Sequence, residues 1–78
     1  MMNNAEPIKA DGLDDAVIGT DYKSLRLVYS IERILQILIE RDNMDMEEAI
    51  EFFDFNIGNA YVGEMTPMYV WTEDKVEL

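Results

Sequence analysis

The chain has 78 residues, with seventeen acids against six bases, a net charge of −11, and neither Cys nor His. One thin-cored domain is the natural reading at this length, since such a domain buries only about 60% of its unfolded surface. The composition excludes disulfides, zinc fingers, thiol nucleophiles and imidazole acid–base chemistry, and a surface this negative repels nucleic-acid backbones and anionic membranes.

Residues 1–10 are polar, contain Pro7 and lack periodicity. They read as a flexible N-terminal arm, with a short first strand as the alternative, ahead of a single domain over residues 11–72. No basic stretch precedes an apolar one, so no secretory signal is expected. Apolar runs such as Ile37–Ile39 fall far short of the roughly 20 residues that a membrane helix needs. A protein of the cytosol is the resulting expectation. "DGLDDAVIGTD" opens on turn chemistry at Asp11–Gly12 and closes at Gly19, with a short strand around Ala16, Val17 and Ile18 between them. "SLRLVYS" alternates, Leu25, Leu27 and Tyr29 against Arg26, Val28 and Ser30, which predicts a second strand hairpinned to the first.

Ser30 then stands where an N-cap is wanted for "IERILQILIERD". Ile31, Ile34, Leu35 and Leu38 form a helical stripe that Ile37 and Ile39 widen, so this helix is expected to be buried on more than one side. Asp42–Asn43 ends it. Asp45 and Glu48 have the spacing of a capping box, and Met46, Ala49, Ile50, Phe53 and Ile57 form the inward stripe of a second helix. Gly58 is the expected left-handed stop. Met68–Thr72 is predicted as the last strand, beginning after Pro67, and residues 73–78 as a charged tail that frays. The result is an α+β domain in the order β-β-α-α-β: a small antiparallel three-stranded sheet with two helices packed on one face.

The second helix is unusual in its charge. From Asp42 to Asp74 there are nine acids and no base. Glu47, Glu51 and Asp54 recur at i, i+4 and i+7 and so stack along one face over a rise of about 10 Å. Repulsion at such spacings costs a few tenths of a kcal/mol per pair. Glu47 and Glu48 recover some of it from the helix dipole, whereas Glu51 and Asp54 lie too far along. A solvated face is the plain explanation. The functional one is a surface for a basic protein, whose own site normally holds nucleic acid. Phe52 and Phe53 are expected in the core, and Phe55 at an interface with acids around it.

Other chemistry is poorly signalled. Asp11, Asp14 and Asp15, and likewise Asp42, Asp45 and Glu47, do not have the spacing of a calcium loop, and the aspartates near Gly12 suit turn stabilisation. Gly12, Gly19, Gly58 and Gly63 match no phosphate-cradling loop, and the bases form no patch for direct nucleic-acid binding. Enzyme activity, cofactors and bound metal are not expected.

The run "VYSIERILQILIERDNMDMEEAIEFFDFNIGNAYVGEMTPMYVW", together with "DGLDDAVIG", resembles a group of small acidic proteins of tailed bacteriophages. The likeness rests on Arg41–Asp42, the acidic stretch Glu47 to Glu51, "FNI" at Phe55 to Ile57, and Ala60 to Pro67, within a span from Asp11 to Trp71. It implies a viral origin and a host-cytoplasmic setting, and transfers no residue roles. Small acidic phage proteins of this kind commonly act by binding host or viral machinery. The expectation is therefore a non-enzymatic inhibitor-like protein that binds a basic host or phage protein through Glu47, Glu48, Glu51, Asp54 and Phe55. The competing expectation is an assembly protein that forms a homo-oligomer through the sheet, where Val28, Tyr69 and Trp71 are available, with its acids serving only solubility.

Overall fold

The computed structural model describes residues 6–77. It is an α+β fold with a three-stranded sheet in the order β1-β2-β3, formed by β1 (Val17–Thr20), β2 (Leu27–Ser30) and β3 (Met68–Val70). Two helices, α1 (Ile31–Arg41) and α2 (Met46–Phe52), separate β2 from β3, and α2 continues into a π-helical turn at Phe53–Gly58.

The sheet is mixed, which corrects the expected all-antiparallel arrangement. β1 and β2 form the antiparallel hairpin, but β3 runs parallel to β2, with Val28 beside Met68 and Ser30 beside Val70. Parallel neighbours require a long crossover. Here both helices and the loop after them carry the chain from the end of β2 back to its beginning, so β3 enters in the direction of β2.

The hairpin is shorter than its alternation predicts. Leu25 lies outside β2, at φ 64° and exposed, because the loop closes on itself. The Asp21 carboxylate accepts from the N–H and hydroxyl of Ser24 at 2.8 and 2.9 Å, and Asp21 N–H donates to the Arg26 carbonyl at 2.8 Å. Those hydrogen bonds hold the Asp21 carboxyl below the usual range. Gly19 does not end the strand. It pairs with Val28 just after a bulge at Ile18. The turn before β1 is closed by backbone bonds, Leu13 N–H to the Ala10 carbonyl and Ala16 N–H to the Leu13 carbonyl, rather than by the aspartates. Gly12 sits at φ +76°, and Arg41 donates to its carbonyl at 2.7 Å.

The core lies between the sheet and the helices: Leu13, Ala16, Tyr29, Ile31, Ile34, Leu35, Leu38, Ala49 and Phe53. The α1 stripe is buried as its period predicts, with Ile37 and Ile39 half-buried beside it. Each such side chain contributes about 1.5–3 kcal/mol on burial. Ser30 caps α1 by accepting from Arg33 N–H at 3.1 Å. Asn43, at φ 58°, turns the chain out of the helix. Tyr69 belongs to this core and not to the outer face of the sheet. It stacks edge-on against Phe53 at 5.4 Å and lies beside Tyr29 at 5.7 Å. Burial, and to a lesser degree Tyr29, raises its hydroxyl pKa. Trp71 lies beyond the strand and is exposed.

The described parts of both chain ends make hydrogen bonds to the domain. The first five residues of the predicted arm lie outside the described residues. Residues 6–10 make long-range bonds, among them Ile8 N–H to the Met65 carbonyl at 3.2 Å and Ala10 N–H to the buried Tyr29 hydroxyl at 2.8 Å. Among the described residues of the tail, α1 supplies hydrogen-bond partners. Glu32 accepts from Thr72 N–H at 2.8 Å and from Glu73 N–H at 3.0 Å. Gln36 accepts from Glu77 N–H and donates to its carbonyl, and Arg33 pairs with Asp74 at 2.9 Å. Burial alone would raise the Glu32 carboxyl, but these bonds outweigh it and hold it below the usual range.

Candidate functional site

The site grows from a helix whose start is fixed locally. The Asp45 carboxylate accepts from Glu48 N–H at 2.8 Å, and Glu48 Oε1 accepts from Asp45 N–H at 3.0 Å, completing the capping box. Ala49 and Phe53 are directed into the core, with Met46 and Ile57 half-buried. Ile50, expected among them, is 43% exposed. The inward stripe is therefore narrower than the sequence implies, and the outer face of α2 is correspondingly apolar.

The helix then widens. Across Phe53–Gly58 the chain makes a π turn, an arrangement that recurs at functional positions. Two amides serve the carbonyls loosened by the wider turn: Asn56 Nδ2 donates to the Phe52 carbonyl at 3.3 Å, and Asn59 Nδ2 to that of Asp54 at 2.8 Å. Gly58 is not the left-handed stop its position predicts. Its backbone angle is ordinary, and the glycine is needed because the Phe53 ring lies against it. A Cβ there would sit 2.7 Å from Phe53 Cε2.

A shallow groove of about 330 Å³ opens on the solvent side, lined by Met44, Glu48, Glu51, Phe52, Phe55 and Asn56. Of the residues singled out from sequence, it brings together Glu48, Glu51 and Phe55. Glu47 and Asp54 are exposed but do not line it. Phe55 is 81% exposed. Phe52, expected in the core with Phe53, instead forms a wall of the groove at 38% exposure, because Phe53 alone reaches Tyr69. Met44, Phe52 and Asn56 were missed by sequence reasoning. The available signal was the repeated carboxylate–aromatic spacing of four, Glu48 to Phe52 and Glu51 to Phe55.

Charge around the groove is unanswered by any ion pair among the described residues. Among the described residues the ion pairs are Arg33–Asp74 and Arg41–Asp42, and neither reaches α2. Hydrogen bonding from Arg41 holds the Asp42 carboxyl below the usual range. Arg26 donates to the Thr66 carbonyl at 2.6 Å. No group of three or more acidic side chains among the described residues is arranged to hold a metal ion. Among the described residues no helix is long and apolar enough to cross a membrane.

Comparison of the chain with protein-family models, with curated proteins and with solved structures returns no match.

Proposed function

We propose that this protein is a non-enzymatic binding protein of phage origin that acts in the host cytoplasm on a basic host or phage protein, as an inhibitor that covers a surface normally used for nucleic acid. The viral part of the reading rests on sequence resemblance. The binding part rests on one observation: two aromatic side chains stand open to solvent between carboxylates that no base of the described chain neutralises. Aromatic anchors surrounded by charge are the usual make-up of an interface centre, and a field of one sign selects a partner of the other.

The competing reading, assembly through the sheet, has the open edge of β1 in its favour, where Ile18 is 41% exposed. The bulge at Ile18 and the net charge of −11 both oppose edge-to-edge pairing. Moreover, Tyr69, one of the side chains it would have used, is turned into the core.

The test is affinity capture from host lysate by the tagged protein and by a Glu51→Lys, Asp54→Lys variant, washed at low and high salt. The expected result is a basic partner that the wild type retains at low salt, releases at high salt or on addition of nucleic acid, and that the variant fails to retain. Equal capture by the variant, or a light-scattering mass far above 9.1 kDa with no partner retained, overturns the proposal.

A further inference from the structure

Resting on that reading, we infer that the groove on α2 is a receptor for a single arginine side chain projected by the basic partner. Its lining sets two carboxylates beside two aromatic rings: Glu48 and Glu51 are three residues apart, as are Phe52 and Phe55, and each acid lies four residues before a ring. Within α2, residues at these spacings are surface neighbours, with Cβ atoms about 5–6 Å apart, so Glu48 lies beside Glu51 and Phe52, and Phe55, on the wider turn that follows, lines the same groove. The capping box uses one oxygen of Glu48, Oε1, and leaves Oε2. Glu51 has no ion-pair partner among the described residues. Asn56 spends its amide nitrogen on the Phe52 carbonyl, which leaves its side-chain oxygen as a further acceptor on the lining.

The occupant is identified by what satisfies both kinds of wall at once. A guanidinium is flat: its face stacks on an aromatic ring while its N–H groups, in the plane, reach carboxylates at the edge. An ammonium is a compact, strongly hydrated point charge and meets the carboxylates without exploiting the rings to the same degree. At about 330 Å³ and open to solvent, the groove stands at the bottom of the size range for small-molecule sites and suits one long side chain. Because no base occurs between Asp42 and Asp74, nothing in that stretch competes for the place.

The test titrates the full ¹⁵N-labelled chain with N-acetyl-arginine methylamide and with its lysine and citrulline counterparts. Expected are saturable shifts confined to the amides of residues 44–56 and to the Phe52 and Phe55 rings, with arginine preferred over lysine and citrulline silent. Phe55→Ala weakens arginine binding about two- to fivefold, the loss expected of one exposed cation–π contact. Glu51→Gln weakens it as well, and Glu64→Gln, at an exposed acid outside the groove, leaves it unchanged. Phe55 is exposed, so an unaltered spectrum outside the groove certifies that the variant is folded. Equal binding of lysine and arginine, shifts spread over the whole acidic surface, or indifference to Phe55→Ala overturns the inference. If any of these occurs while salt-sensitive capture of a basic partner persists, the arginine assignment fails alone. Arginine-selective shifts in a chain that captures nothing basic would instead sink the partner reading and leave the groove assignment standing.

Discussion

Replacing Gly58 with alanine probes the π turn that builds the groove. At an ordinary backbone angle, Gly→Ala should stabilise by about 0.5–1 kcal/mol, through reduced freedom of the unfolded chain. Here the new methyl would meet the Phe53 ring at 2.7, 3.0 and 3.3 Å from Cε2, Cζ and Cδ2. The ring has little room to retreat, since it is 9% exposed and stacks edge-on with Tyr69. Overpacking of this kind costs about 1–3 kcal/mol. The balance is a net destabilisation of up to about 2.5 kcal/mol, and each kcal/mol lowers Tm by about 4–8 °C in a domain this size. Urea melts of Gly58→Ala, Phe53→Leu and the double variant measure it, with an unchanged m value as the control for compactness. Leucine lacks the ring atoms that collide, so the two substitutions should couple by about 1 kcal/mol or more. Stabilisation by Gly58→Ala in the native background, or an equal penalty beside Leu, refutes the claim that ring contact sets the turn.

Two further outcomes follow from the clasp between α1 and the tail. Glu32→Ala strips the carboxylate from the N–H groups of Thr72 and Glu73 and should cost about 1.5–3 kcal/mol in a urea melt, with protease sites opening in residues 72–77. Glu32 and Asp74 both have folded pKa values below their ordinary 4.5 and 3.8, so the unfolded chain binds protons first as pH falls. Their stabilisation is fully present above those ordinary values and is lost as pH drops through the depressed folded ones. Melts from neutral pH downward should show that loss, and Glu32→Gln should flatten it. An acid limb identical in the variant contradicts the assignment.

The parts of this molecule that depend on neighbours within a few residues were legible in the chain itself. Ser30 caps α1, Asp45 and Glu48 form their box, and Ile31, Ile34, Leu35 and Leu38 are buried on period, because caps and helical stripes are set by contacts three and four residues apart. The carboxylates and Phe55 of the groove could be singled out for the same reason. What escaped depends on groups far apart in sequence. Whether β3 runs with or against β2 is settled by how two helices and a loop return the chain. Tyr69 faces inward because Phe53 and Tyr29 meet it there. The N–H groups of Thr72, Glu73 and Glu77 find their acceptors on Glu32 and Gln36, some forty residues earlier. Gly58 looked like a helix stop because its role is to admit a ring, and the place of that ring is fixed by Tyr69 across the core. Local hydrogen bonds and periods are written in adjacent residues. The side of a sheet, the direction of a strand and the width of a helical turn are set only when distant surfaces compete for the same space.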